Sequence, residues 1–281
     1  NQELQDSGVI SAFLRLHPLA ETEQHTLHEH ATVVQHGETV YCDLSLTEQQ
    51  LWQQTRSRER SYINRIRRDG FRVEIDDQWN QLDEFVELYY ETMRRVAAAD
   101  SYFFSRSYFQ QIRDTLRDHA TLIFVTAPDG TIASGGIFTQ CNGFVQYHLG
   151  GTRTHFLKAQ PAKLLMHNVR QWAKQQGHNY FHLGGGVGSA HDSLFQFKSG
   201  FSKLRASFAS CRFVTNEKAY SRLVKQWERE NQSKADDARG YFPAYRKPAP
   251  RFRVVGHPEP HSPLASPKAT GSALDKRKMA A

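Results

Sequence analysis

The residues with the clearest chemical potential lie in the run 180–201, YFHLGGGVGSAHDSLFQFKSGF. Residues 180–183 read as a short apolar strand, broken by Gly184, Gly185 and Gly186. Asp192 stands where an N-cap belongs, ahead of a brief helix that holds Leu194, Phe195 and Phe197 and is closed by Lys198 and Gly200. Three successive glycines give up backbone entropy, so the chain here needs positive φ or close backbone approach. Backbone N–H groups at a strand end, a helix start and a lysine suit an oxyanion, or a carbonyl about to become one. The plainer alternative is a tight strand-to-helix turn followed by a surface lysine.

Other chemistries find little support. The sequence has no GxSxG, no GxGxxG and no P-loop spacing. His25, His28 and His30 cluster without the HExxH spacing that puts two imidazoles on one helical face. His178 and His182 share a strand face but stand roughly 13 Å apart by strand rise, too far to hold one metal directly. No metal is expected. Tyr147 and His148, on a strand expected to splay from 180–183, are candidates for proton handling, although a mid-strand histidine is more often a core residue.

A second charged feature lies upstream. Residues 47–69 read as one helix, capped by Thr47 and stopped by Gly70, with a broken apolar stripe. Arg56, Arg58, Arg60, Arg65, Arg67 and Arg68 decorate it, opposed locally only by Glu59 and Asp69. A solvated face and a docking surface for phosphates both fit.

These residues need a scaffold, and the periodicities supply one. Strand signals cover 9–16, 31–35 and 39–44, with a turn expected at His36-Gly37. After Gly70 come a strand (71–75), helices (79–99 and 106–117) and three strands (121–126, 131–140, 143–150). Asp129-Gly130 and Asn142-Gly143 mark the hairpins between those strands. A long amphipathic helix (159–176), the 180–201 run, a strand (204–214) and a helix (216–231) follow. Residues 243–281 hold eight Lys or Arg against two acids, which accounts for +6 of the +7 net charge, and seven of the ten prolines. They read as a disordered basic tail, and the body is near neutral. Global basicity is therefore weak grounds for a nucleic-acid partner, and DNA is not expected. Cys42, Cys141 and Cys211 fit no zinc pattern and point to reduced thiols in a cytoplasmic protein. Asn1 stands where an initiator Met would, so targeting stays open.

The element order resembles the GNAT acyltransferase fold, a mixed, mostly antiparallel sheet flanked by helices. More specifically, the chain resembles the Fem family of non-ribosomal peptidyltransferases and its acetyltransferase-like relatives. The matching segments are VYCDLSL (40–46), RIRRDG (65–70), FVELYYETMR (85–94), residues 161–165, and above all HLGGG with LFQFKSGF. The resemblance implies two GNAT-like units: the end of a first one in 1–46, an arginine-rich connector in 47–69, and a complete second one in 70–242. It implies an acyl or aminoacyl transferase acting in cell-envelope biosynthesis, peptidoglycan or surface polysaccharide, with peripheral contact at the inner membrane face. No cofactor would be tightly bound. The donor would be aminoacyl-tRNA or acyl-CoA, and the acceptor a cell-envelope precursor.

The matching Phe-Lys pair, Phe197-Lys198, is assigned by the resemblance to the donor end. Gly184–Gly186, Asp192, Pro161 and Lys163 would bind the donor, and Arg65, Arg67 and Arg68 phosphate or acceptor. Acetyl-CoA-dependent GNAT enzymes wrap the pyrophosphate on a Q/RxxGxG/A loop, whereas residues 158–163 read KAQPAK, without glycine. The non-enzymatic alternative is a GNAT-shaped scaffold that binds RNA or an acidic glycan.

Overall fold

A computed structural model describes residues 2–20, 27, 31–235 and 240–248. Its centre is one sheet of eight strands, β1 (Ser11–Leu16), β2 (Thr32–Asp43), β3 (Arg72–Asp76), β4 (Ala120–Thr126), β5 (Ile132–Cys141), β6 (Phe144–Thr152), β7 (Tyr180–Gly184) and β8 (Arg205–Val214), in the order β1-β8-β2-β7-β6-β5-β4-β3. All pairs are antiparallel except β6 and β7. The helices are α1 (Gln2–Asp6), α2 (Glu48–Gln54), α3 (Ser57–Arg68), α4 (Leu82–Arg95), α5 (Arg106–Leu116), α6 (Pro161–Gln175), α7 (Ser193–Lys198) and α8 (Glu217–Asn231).

Strand alternation explains why two helical layers form. In β4, Ile123 and Val125 point into the core shared with α3, α6 and α7, while Leu122 and Phe124 point into the core under α4 and α5. A strand buried on both faces reads as a continuous apolar run, as β4 does. The Asn142-Gly143 hairpin has both central residues at positive φ, 48° and 80°, as a two-residue turn matched to strand twist requires.

Three expectations need correction. The helix expected over 47–69 is two helices, broken at Thr55-Arg56. Thr47 does cap the first, in a reciprocal pair with Gln50. Thr55 is extended (ψ 128°) because its Oγ1 and the Leu51 carbonyl both accept from the buried guanidinium of Arg170, at 2.9 and 3.1 Å. His36-Gly37 is a bulge inside β2 rather than a turn: Gln35 faces Ala209, Gly37 faces Phe208, and His36 is the extra residue. Strands β1 and β2 lie in the same sheet as the later strands, with β2 placed between β7 and β8.

The third correction concerns the start of the basic tail. Residues 243–248 pack on α8: Tyr220 accepts from the Ala244 amide at 3.1 Å, Trp227 Nε1 donates to Lys247 O at 2.9 Å, and Tyr245 Oη meets Ser11 Oγ at 2.8 Å. The rest of the tail, and the cluster His25, His28 and His30, lie outside the described residues. Truncation after Pro248 is expected to leave Tm unchanged, since the removed stretch has few large apolar side chains. Truncation before Tyr241 uncovers Trp227 and is expected to lower Tm by about 2–8 °C for the 1–2 kcal/mol lost. Equal Tm values for the two forms would contradict the docking.

Candidate functional site

The sheet opens at one place. β6 and β7 pair only over Phe144–Gln146 against Tyr180–His182, and then part. The divergence is driven from both sides. On β7, Val40 of β2 pairs with Gly184 and holds the strand away from β6. On β6, Leu149 faces Ile137 and Tyr147 faces Phe138, so His148 is an extra residue in a bulge that bends the strand.

Lys198, the last residue of α7, sits in this opening with 7% of its surface exposed. Its Nζ donates to the Gly185 carbonyl at 2.7 Å and lies 5.8 Å from the Tyr147 ring centroid. It has no salt-bridge partner among the described residues. Burial lowers its pKa to about 8, against a smaller upward pull from Asp192. Gly184 adopts φ +82°, and a Cβ there would lie 3.2 Å from Lys198 Nζ, so the glycine both turns the chain and leaves room for the ammonium.

Asp192 closes the loop. One carboxylate oxygen accepts from Phe195 N as the helix cap and the other from Val187 N, each at 2.9 Å. Those backbone bonds hold its pKa below the ordinary value. Gly186 is pressed against this closure: a Cβ would come within 2.0 Å of Ala190 O and 2.4 Å of Asp192 Oδ1.

The other sequence candidates are placed as follows. Tyr147 lies on the Lys198 side, stacked on Phe138 at 5.5 Å, and burial pushes its pKa up to about 12. His148 points to the opposite face, where its Nε2 meets Tyr108 Oη at 3.2 Å. Part of that ring is open to solvent, and the protein packed around the rest lowers its pKa from 6.5. Phe197 packs edge-on against Phe201 at 5.4 Å, so it anchors α7 in the core. His182 is buried and uncharged, its pKa lowered to about 3 by desolvation.

At the start of α6, Gln160 is left-handed (φ 60°) and Pro161 occupies the first turn. Lys163 is buried in an ion pair with Glu59 and lies 3.8 Å from the Tyr62 ring centroid, so it does not face the opening. Arg65 donates to Lys158 O at 3.2 Å beside this helix start, and Arg67 reaches Gln171 at 3.4 Å. Arg67 and Arg68 line a shallow depression with Ser61 and Asn64. None of the six arginines of this region forms a salt bridge among the described residues. Glu84, a conceivable partner for one of them, pairs with Arg153 instead.

Sequence reasoning missed Arg170. It is 1% exposed, and its guanidinium donates to Leu51 O, Thr55 Oγ1 and, at 3.5 Å, Phe201 O. It thereby ties the segment after α7 to α2. It also meets His167 Nδ1 at 3.1 Å one turn earlier on α6, and its other partners are backbone carbonyls and a hydroxyl from distant segments, which nothing in the sequence marks. Among the described residues no group of three or more metal-ligating side chains forms, and no helix is long and apolar enough to cross a membrane.

A splayed parallel pair beside a bulged strand, in a mostly antiparallel sheet, is the frame of an acyltransferase of the GNAT class. Residues 53–199 match the family described as acetyltransferase (GNAT) domain, and the chain belongs to that family. Among solved structures it is similar to FemX, at 16% identity over 78% of this chain and 69% of that one, with a TM-score of 0.56. It is likewise similar to L-PGS from Bacillus licheniformis, at 16% identity over 78% and 73%, with a TM-score of 0.52. At these identities the likeness is one of fold. No curated protein matches the sequence.

Proposed function

We propose that this acyltransferase moves an activated acyl group from a phosphate-bearing donor to an acceptor amine at the β6–β7 opening, with Lys198 facing the developing oxyanion. The observation that carries this is a buried lysine without a salt bridge, held by one carbonyl at the point where the strands part. The amine nitrogen attacks the carbonyl carbon, and the new C–N bond forms as the carbonyl oxygen takes negative charge. Collapse of that tetrahedral species breaks the bond to the ester oxygen or thioester sulfur, and the proton lost by the amine ends on the leaving group. The Lys198 ammonium stabilises the oxyanion in a site of low dielectric. Tyr147 stays protonated across the physiological range and can donate to the leaving atom, while His148, on the other face, can accept from the amine. Gly184–Gly186 let the donor lie against the strand end, and Asp192 and Phe197 fix the helix that carries the lysine.

For the donor we favour aminoacyl-tRNA. Residues 158–163 have no glycine to wrap a diphosphate, Lys163 is held by Glu59, and exposed arginines flank the helix start. The acceptor that suits the Fem-like reading is a cell-envelope precursor, met at the inner membrane face by a cytoplasmic enzyme. On that reading residues 1–46 close a first unit and 70–242 form the transferring one. The family description favours a second reading, acyl-CoA as donor.

Filter binding with aminoacyl-tRNA and calorimetry with acetyl-CoA separate the two. With tRNA as donor, Arg65→Glu with Arg68→Glu is expected to weaken tRNA binding at least ~10-fold and to flatten its salt dependence. Unchanged affinity and slope would leave these arginines a solvated face and remove the support for tRNA.

A further inference from the structure

Lys198 is held by little of its own. Among the described residues its ammonium makes one hydrogen bond, to Gly185 O, and no salt bridge. A buried ammonium so sparsely met is better solvated when the helix end swings outward. The six residues of α7 are too few to keep their own shape, because helix formation rests on a costly nucleus. Its last turn is fixed from outside.

Arg205, half-buried at the start of β8, does this at several points. Its Nη2 donates to the hydroxyl of Ser199, the residue directly after the lysine, at 2.9 Å. Its Nη1 donates to the carbonyls of Ser202 and Leu204, at 3.0 and 2.8 Å. Its Cζ lies over the ring of Phe195, one turn before the lysine, 5.2 Å from the centroid. The guanidinium thus touches α7 ahead of Lys198 and the chain just behind it. The backbone of the same residue is built into the floor: Arg205 faces Val40 of β2, and Val40 faces Gly184 of β7. One rung of the sheet therefore runs from Arg205 to the glycine beneath the ammonium. A planar fork with donors at fixed angles suits this place, and a point charge on a flexible stem does not.

We infer that Arg205 is a positioning residue for transfer, holding the end of α7 against the β2–β7 floor so that Lys198 stays inside the β6–β7 opening. The inference rests on reading Lys198 as the group that meets the oxyanion. Arg205 itself touches neither the ammonium nor the reacting atoms.

The test follows Lys198 by NMR of lysine side chains in the full chain without ligand, its signal assigned by its loss in Lys198→Met. In the wild type the ammonium is expected to titrate near 8. In Arg205→Met and Arg205→Lys the loosened helix end admits water, and the titration is expected to rise to about 9 or above. Turnover with aminoacyl-tRNA or acetyl-CoA, whichever the protein accepts, is expected to fall at least ~10-fold in kcat, with KM changed by less than about 2-fold. Should both variants fold poorly, Ser199→Ala removes one contact and no charge, and is expected to raise the titration by less. Truncation before Tyr241, which loosens the fold away from α7, is expected to leave it near 8. An unmoved titration in the folded variants would overturn the inference. A rise in Arg205→Met alone would mean that the arginine acts through its charge, and a rise in the truncated form that any loosening suffices; either would overturn it, as would a raised KM with wild-type kcat. Failure of the underlying reading looks different: the titration would move as described while Lys198→Met transferred acyl groups at the wild-type rate.

Discussion

Lys198→Met is expected to lower kcat and kcat/KM together by about 10²–10³, with little change in KM, because the ammonium meets charge that exists only in the transition state. The same substitution is expected to stabilise the fold. The lysine's pKa falls from 10.5 to about 8 in the folded state, so below pH 8 the folded protein carries the full penalty of a buried charge. Between pH 8 and 10.5 the unfolded chain binds more protons than the folded one, so wild-type stability rises with pH across that window. The methionine variant should therefore be more stable at pH 7 by about 1–3 kcal/mol, with a gap that closes as pH approaches 10.5. Wild-type kcat should decline as pH rises through about 8. Lys198→Arg should rescue poorly, since the planar fork cannot place one donor where Nζ sat. A variant with raised KM but wild-type kcat would make Lys198 a donor anchor. A variant with wild-type kinetics would make it a buried structural lysine.

Gly186→Ala should produce the second large effect. The added methyl would meet the Ala190 carbonyl and the Asp192 carboxylate well inside contact distance, and the carboxylate cannot yield without releasing its bonds to Val187 and Phe195. The expected loss is about 2–4 kcal/mol, combining crowding with a lost helix cap. Because α7 has only six residues, a shift at its start reaches Lys198 at its end, and activity should fall at least ~10-fold with only a modest change in donor affinity. Thermal denaturation alongside single-turnover kinetics checks both. Wild-type Tm in this variant would show that the loop relaxes cheaply and that the third glycine is not required.

Much of this frame was legible in the sequence because the signals are local. Alternation in β4, the Asn142-Gly143 turn and the Asp192 cap each depend on residues within a few positions of one another. The order of elements led to the GNAT class, and the matched family agrees. What escaped was set by distant neighbours. Thr55 breaks a helix because Arg170 approaches it from α6, and no glycine or proline marks the spot. His36-Gly37 has a turn's composition, yet Ser189 packs against Gly37 and the residues stay in the strand. Lys163 reads as a free cation until α3 and α6 pack and bring Glu59 against it. The division of Tyr147 and His148 between opposite faces follows from alternation, but which face holds the lysine does not.

The position of β2 governs the order in which the molecule can assemble. One edge of β2 pairs with Tyr180–Gly184 of β7, and the other with residues 205–212 of β8, more than 160 positions further along the chain. Closing so long a loop precedes any reward from the contacts it brings, which makes such pairing slow. A chain emerging from the ribosome can form the β3–β6 meander early, since those partners are near in sequence. The strand beneath Gly184 gains its full support only when residues from both ends of the fold meet. Until then β2 offers an unpaired edge, open to the wrong partner. The cleft is thus among the last parts of the sheet to be secured, together with the β1–β8 edge, and a nascent chain would carry Lys198 before the strand beneath it is fully supported.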